Sequence, residues 1–175
     1  MANCSVKLYD EFDPTGTDGA TPLPPGDYEY TSFGANFRSD QRKVFSYSIS
    51  PSGGQFFNGN IYSLRADINY RIQPHFNMSL FANYDNINLP DPYPDANIVL
   101  IGSRFDVTFS RSVFWATFIQ YNNQSDNFGI NSRLQWRFAP LSDLFLVYND
   151  NYFTDNVFAP RVRSINLKIT YWLNI

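Results

Sequence analysis

The chain has 175 residues, of which 18% are aromatic, a formal net charge of −3 and a single cysteine. This length predicts one domain, residues 1–175. The charge is nearly balanced and forms no basic stripe, which argues against a nucleic-acid partner, and one cysteine excludes an intrachain disulfide framework or a cysteine metal cluster. No segment approaches the roughly 20 consecutive apolar residues that a membrane-spanning helix needs.

The first third of the chain predicts irregular strands and one long connection. The segments CSVKLYD, YEYTSFGANFR and KVFSYSIS have strand composition but alternate imperfectly. Residues 11–27 lie between the first two segments and are rich in proline and glycine, so they predict a long loop.

From residue 63 onward, apolar and polar residues alternate regularly. In SLRADINYRI, Leu64, Ala66 and Ile68 fall on one side and Arg65 and Asp67 on the other. The same period recurs in HFNMSLFANYDN, VLIGSRFDVTF, VFWATFIQY, FGINSRLQWRF and RSINLKITYWLNI, whereas DLFLVYND is more apolar on both sides. A period of two residues predicts strands and not helices.

Short and long connections alternate along the chain. The short ones are SDQR, QPH, SR and APLS, and the longer polar ones are residues 51–60, 88–97, 122–127 and 152–162. This pattern is typical of an up-and-down antiparallel meander with tight turns on one side and long outside loops on the other. The chain holds about eight to ten strands, and ten if CSVKLYD pairs ahead of the rest.

The size and polarity of the two faces favour an all-β transmembrane barrel over a soluble β-barrel or sandwich, which stays the alternative fold. The alternating runs reach the about 9–11 residues that cross a bilayer at a tilt. A soluble barrel turns its polar side chains outward, and there lysine is common, but this chain has three lysines. The residues predicted to face the lumen as a charged network are Arg65, Asp67, Arg104, Asp106, Arg133 and Arg137. These charges either pair and plug the lumen, which is the preferred interpretation, or line a narrow polar pore.

Aromatic residues on the apolar face cluster near the strand ends, where amphipathic rings meet the two membrane interfaces. The predicted girdle near the short turns comprises Tyr70, Phe76, Phe109, Trp136 and Phe138. The girdle near the long loops comprises Tyr84, Tyr121, Phe128 and Tyr148.

Three long segments carry a resemblance to a known family. They are YSLRADINYRIQPHFNMSLFANYDNINLPDPY, the stretch from IGSRFDVTF to LVYNDNYFT, and RSINLKITYWLNI, and the most specific string is LQWRFAPLSDLFLVYND. They resemble the C-terminal β-barrel of a large uncharacterised outer-membrane family of Bacteroidetes-type bacteria. Members usually carry an N-terminal carbohydrate-binding-like sandwich, which this sequence lacks. The resemblance implies an outer-membrane barrel in a glycan-related context, and it assigns no functional residue.

The sequence offers little support for catalysis. The only histidine, His75, lies in a predicted tight turn, and no nucleophile elbow or phosphate-binding loop is present. We therefore expect no catalytic residue, no metal and no cofactor.

The predicted function is a non-enzymatic structural or surface-binding module in the outer membrane of a Gram-negative bacterium. Its expected partner is the lipid bilayer, with other outer-membrane proteins or glycans as further partners. The alternatives are a small channel or subunit of a larger transport or secretion assembly, and a barrel enzyme such as a lipid-modifying hydrolase.

Overall fold

The computed structural model describes residues 2–16, 19, 21–154 and 159–173, with side chains from residue 5 onward. This part of the chain forms eleven strands in one antiparallel sheet. The strands are β1 Ala2–Leu8, β2 Gly26–Gly34, β3 Phe37–Arg38, β4 Phe45–Phe56, β5 Gly59–Ile72, β6 Phe76–Asn88, β7 Ala96–Thr108, β8 Val113–Asn122, β9 Asn127–Ala139, β10 Ser142–Phe153 and β11 Ala159–Thr170. Within the described ranges, no helix is long and apolar enough to cross a membrane.

The strand order is that of a meander, because each strand pairs with its neighbours in the sequence, from β1-β2-β4 through to β11. The all-β antiparallel prediction is confirmed. The predicted count of eight to ten strands differs from the observed eleven because β3 is a short continuation of β2. Both pair with β4 in one register, as Gly34 faces Ser52 and Phe37 faces Ile49. The interruption lies opposite Pro51, which accepts a hydrogen bond from Ala35 N at 3.0 Å but has no N–H to return one.

The sheet is open, so the closed barrel predicted from the sequence is not formed in this structure. In the described part of the chain, β1 pairs with β2 alone and β11 pairs with β10 alone. The two edge strands are unequal, with seven residues in β1 and twelve in β11. In addition, β1 pairs with β2 over Gly26–Ser32, whereas β4 begins to pair with β2 at Ser32, so the β1–β2 hairpin extends past the end of β4.

One predicted long loop is wrong, and the others differ in their limits. Residues 51–60 belong instead to β4 and β5, joined by a two-residue turn in which Phe57 has a φ of 50°. Gly59 starts β5 where a Cβ atom would lie 2.1 Å from the carbonyl oxygen of Asn88, so only glycine fits there. The connections between strands are 9–25, 89–95 and 154–158 where the sequence suggested 11–27, 88–97 and 152–162. Residues 155–158 of the last one lie outside the described residues.

The sheet is a single layer with hardly any core. In the described part, the buried apolar side chains are Leu23, Ile87 and Leu89, and all three lie toward the long-loop end of the sheet. Within the 9–25 connection, the backbone of Leu23 exchanges hydrogen bonds of 2.8 and 3.1 Å there with that of Phe12. This connection also reaches the β8–β9 turn, where Gln124 Nε2 donates to the carbonyl oxygen of Thr15 at 3.4 Å.

Candidate functional site

The strand register sorts the side chains of β5–β11 onto two chemically different faces. Residues directly opposite each other share a face, so the row Ala66–Ala82–Ile101 lies on one side. The row Asp67–Phe81–Gly102 lies on the other. We call these the apolar face and the polar face. The two-residue alternation of the sequence is thus kept in step across seven neighbouring strands.

Charge follows this division closely. The charged residues of β5–β11 on the polar face are Arg65, Asp67, Arg71, Asp85, Arg104, Asp106, Arg133, Arg137, Asp143 and Lys168. These are six cations and four anions, which gives a net charge of +2, although the whole chain carries −3. The remaining charged residues of these strands, Asp150, Arg161 and Arg163, lie together at the long-loop end of β10 and β11.

The structure brings together two of the six residues predicted as a charged network. Arg104 holds Asp106 with a forked contact, in which Nε lies 2.9 Å from Oδ2 and Nη2 lies 3.0 Å from Oδ1. Arg137 instead pairs with a carboxylate that the sequence reasoning did not select, Asp143 of β10, at 3.4 Å. The sequence could have indicated Asp143, because it is a charged residue directly after the tight APLS turn and it falls on the polar side of its strand.

The other three predicted members, Arg65, Asp67 and Arg133, make no hydrogen bond or ion pair with any described residue. The register explains this, because Asp67 faces Ser48 and Phe81 and not a cation. Arg133 faces Ala116 on one side and Val147 on the other.

The apolar residues form a band that runs diagonally across the apolar face and that contains three hydroxyl side chains, those of Ser103, Thr117 and Ser132. The row that starts at Ile72, the last residue of β5, passes through directly opposed partners to Leu167 in β11. Beyond Leu167, apolar residues continue to Tyr171, four residues further, whose ring stacks on Phe138 at 6.4 Å. The lower edge of the band, on the short-turn side, therefore moves outward by four residues between β5 and β11.

The upper edge moves in the same direction. In β11 the band ends at Ile165, because the next residue on that face is Arg163. The row of Ile165 passes through directly opposed partners to Tyr70 in β5, and the band continues above Tyr70 to Tyr62, eight residues further. Over six strand steps the lower edge shifts by four residues and the upper edge by eight, which averages about one residue per strand.

This offset fixes the inclination of the strands to the band. A strand rises about 3.4 Å per residue, and neighbouring strands lie about 4.8 Å apart. A shift of about one residue per strand therefore tilts the strands by about 35° away from the line perpendicular to the band edges. The band is nine residues long in β6, from Phe76 to Tyr84. At that inclination its height is about 22 Å between the terminal Cα atoms.

Aromatic side chains lie along both edges of the band. On the long-loop edge, the predicted residues Tyr84, Tyr121, Phe128 and Tyr148 are joined by Tyr62, which sequence reasoning missed although it begins a regular alternating run. On the short-turn edge, the rings of Tyr70 and Phe76 are 6.3 Å apart and those of Trp136 and Phe138 are 5.8 Å apart. Phe109, the remaining predicted member, follows β7 and is 61% exposed.

A polar cluster interrupts the apolar face directly above the band at β10 and β11. Asp150 is 1% exposed, and its Oδ2 accepts hydrogen bonds from Tyr148 Oη at 2.5 Å, Tyr152 Oη at 2.8 Å and Arg163 Nε at 2.9 Å. The sequence reasoning missed this cluster, because Asp150 and Arg163 are thirteen residues apart and only the β10–β11 register brings them face to face. The sequence could have indicated the cluster, because Asp150 in β10 and Arg163 in β11 are charged residues at positions where the alternation expects apolar ones.

The apolar face is otherwise uncovered, most of all at the β11 edge. Ile165, Leu167 and Ile169 are 68%, 62% and 60% exposed. Burying such side chains would remove them from water at about 25 cal/mol per Å² of apolar surface, so this face is suited to contact with an apolar medium or partner.

Neither face shows a cluster of candidate catalytic side chains among the described residues. His75 is exposed in the turn between β5 and β6, where its Nδ1 is 3.3 Å from the carbonyl oxygen of Thr108. Among the described residues, no group of three or more histidine, cysteine, aspartate or glutamate side chains is placed to hold a metal ion.

Comparison of this chain with protein-family models, with curated proteins and with solved structures finds no match. The resemblance to an outer-membrane barrel family therefore stays a prediction from the sequence.

Proposed function

We propose that this chain is the wall of an outer-membrane β-barrel and that it acts as a non-enzymatic structural or surface-binding module of a Gram-negative bacterium. The observation that carries the proposal is the diagonal apolar band. Its inclination of about 35° and its height of about 22 Å agree with the strand tilt of about 35–45° and the apolar belt of about 25 Å in transmembrane barrels.

Three further observations support lipid as the medium on the apolar face. The aromatic residues line both edges of the band, as at membrane–water interfaces. Each of β4–β11 has at least ten residues, which is enough to cross the hydrocarbon when tilted. Among the described residues of β5–β11, the ion pair on this face, Asp150 with Arg163, lies above the upper edge, at the depth of the lipid headgroups in this proposal.

We further propose that the barrel closes by pairing of β11 with β1. Both strands have one unpaired edge in the described structure. If the short β3 is left aside, β1 and β11 are the first and the tenth strand of an antiparallel order, so they run antiparallel to each other. An open edge of twelve residues with exposed apolar side chains is otherwise a site for aggregation.

The membrane proposal is tested with detergent-refolded protein run unboiled and boiled on a gel. We expect a compact, faster-migrating band in the unboiled lane, and the same band after reconstitution into lipid vesicles. A single unshifted band in protein that stays soluble without detergent would contradict the membrane proposal.

The closure proposal is tested with the native cysteine. Cys4 is the only cysteine and lies in β1, so single cysteines placed in turn at residues 162–170 of β11 report which strands meet. Closure predicts an intramolecular disulfide at positions of one alternation, and none for a control cysteine at Ser79 in the central strand β6. Disulfide-linked dimers would show that β11 pairs with a second copy instead.

A small channel is the second candidate, favoured by the unpaired Arg65, Asp67 and Arg133 on the polar face. Charges without partners are expected in a hydrated pore more than in a plugged interior. Single-channel conductance of the reconstituted protein separates the two candidates, since a plugged barrel gives no steps.

A further inference from the structure

The polar face contains a small depression centred on β8. Ala116 lies at its floor, with Asp106 directly opposite in β7 and Arg133 directly opposite in β9. Two residues further along β8, Phe118 stands between Arg104 and Asn131 in the same way. The small side chain of Ala116 among five larger ones leaves a cavity of about 160 Å³, which is lined by Arg104, Ala116, Thr117, Phe118, Asn131 and Arg133.

The charges around this depression do not cancel. Arg104 uses Nε and Nη2 on Asp106, which leaves its Nη1 without a hydrogen bond to any described residue. Arg133 is exposed and makes no hydrogen bond or ion pair with any described residue. Two guanidinium groups and one carboxylate leave a net charge of +1, with free donors of the type that binds carboxylate and phosphate oxygens.

The remaining walls have a different chemistry. The ring of Phe118 stacks on that of Phe81, with centroids 6.3 Å apart and planes at 18°, so Phe118 offers a fixed apolar wall. Asn131 donates through Nδ2 to Asn149 Oδ1, which orients its carboxamide. Its own Oδ1 accepts no hydrogen bond from a described residue and is open to a hydroxyl donor.

We propose that this depression is a binding site for a small oxyanion carried on a ring-shaped, hydroxylated body, of the class of the uronic acids. In this site Arg133 and Arg104 bind the carboxylate of the ligand, and the ring of Phe118 packs against the sugar ring. Asn131 Oδ1 accepts a hydrogen bond from one of the sugar hydroxyl groups. The site needs only the polar face of β7–β9, so it goes beyond the membrane proposal and does not depend on it.

The test is isothermal titration calorimetry on the refolded 175-residue chain at low chloride concentration, with three probes. Glucuronate carries both the oxyanion and the body, inorganic phosphate carries the oxyanion alone, and glucose carries the body alone. We expect glucuronate to bind more tightly than phosphate and glucose to give no signal. Phosphate binding without glucuronate binding, or no binding of either anion, would overturn the proposal.

Three variants locate the site. Arg133→Gln is expected to weaken glucuronate binding by about tenfold or more, because a charge-assisted hydrogen bond is lost. Arg133→Lys keeps the charge but not the fork, so we expect an intermediate loss. Ala116→Leu fills the depression without changing any charge and should abolish binding.

The matched control is Arg65→Gln, which removes an equally unpaired cation from the same face in β5. It should leave glucuronate binding unchanged, whereas an equal loss in Arg65→Gln and Arg133→Gln would show that only diffuse charge attracts the anion. Far-UV circular dichroism establishes that each variant is folded, and Arg133→Lys serves if Arg133→Gln is not.

Discussion

Two ion pairs of the same chemistry lie on opposite faces of this sheet. In each, an arginine nitrogen is 2.9 Å from a carboxylate oxygen, in Arg104–Asp106 on the polar face and in Arg163–Asp150 on the apolar face. The side chain of Asp106 is 33% exposed, whereas that of Asp150 is 1% exposed. The carboxylate of the first pair shares its hydrogen bonding with solvent. That of the second takes three side-chain donors on Oδ2, while its buried Oδ1 has no hydrogen-bond partner among the described residues.

The two faces differ in how many charged residues they carry and in how these residues are paired. The polar face carries ten charged residues in β5–β11 and leaves several without partners, which an aqueous surface tolerates at little cost. The apolar face carries one compact cluster, in which two tyrosine hydroxyls and Arg163 converge on Oδ2 of Asp150. A buried carboxylate is stable only with such a set of donors, because its desolvation is otherwise uncompensated.

The largest expected effect is that of Asp150→Ala. This change leaves Arg163 and the hydroxyl groups of Tyr148 and Tyr152 without their common acceptor on the apolar face. We expect the largest fall in the urea midpoint of unfolding among the substitutions considered, measured in detergent or lipid by tryptophan fluorescence.

The control for this prediction is a double variant, Asp150→Leu with Arg163→Leu. Removing both charges leaves no unpaired ion, so most of the stability should return. A double variant as unstable as Asp150→Ala would mean that the packing of the cluster matters and not its charge balance.

The next largest effect tests whether the apolar face contacts lipid. Leu80 lies at the centre of the band in β6, and Gln120 lies on the polar face in β8, opposite Gly102. If the band faces hydrocarbon, Leu80→Arg should cost about 2–4 kcal/mol of stability in vesicles, whereas Gln120→Arg should cost less than about 1 kcal/mol. The measurement is reversible unfolding in lipid vesicles.

Equal effects of the two arginine substitutions would contradict the membrane proposal, since water on both sides would accept either charge. The reverse order, with Gln120→Arg the more harmful, would mean that the polar face is the closely packed one.

A smaller effect concerns packing on the polar face. A Cβ atom on Gly102 would lie 2.2 Å from Cζ of Phe81, whose ring covers the glycine directly opposite it. Gly102→Ala would push this ring away from its stack with Phe118, with an expected loss of about 1–3 kcal/mol in the free energy of unfolding.

The double variant Gly102→Ala with Phe81→Ala tests this cause. If the ring is the obstacle, the effect of Gly102→Ala should nearly disappear once Phe81 is truncated. An unchanged loss would point to the backbone conformation at Gly102.

The alternation in the sequence was sufficient to predict an all-β antiparallel meander and to assign side chains to two faces. In a strand, successive side chains point to opposite faces, so the alternation alone assigns Leu64 to one face and Asp67 to the other without a structure. The sequence could not give the register between strands. For that reason the diagonal shift of the band, which depends on six successive registers, was not foreseen.

The same limit explains what sequence reasoning missed at the candidate sites. The Asp150 cluster and the depression over Ala116 each depend on residues from two or three strands that meet only in the correct register. The loop predicted at 51–60 was wrong because proline and glycine normally interrupt strands. Here Pro51 interrupts β2 while β4 itself continues to Phe56, and Gly53 and Gly54 lie in its ladder with β5.

The smallest expected effect completes the comparison of the two ion pairs. Asp106→Ala removes the carboxylate of the polar-face pair, but this carboxylate is 33% exposed and already shares its hydrogen bonding with solvent. We expect a loss of about 0.2–1 kcal/mol in the free energy of unfolding, decreasing further at high salt. Asp106→Ala also removes the anion that lies directly opposite Ala116 in the depression, so glucuronate binding should strengthen while stability hardly changes. A loss as large as that of Asp150→Ala would instead mean that the polar face is as dry as the apolar one, and the distinction between the two faces would fail.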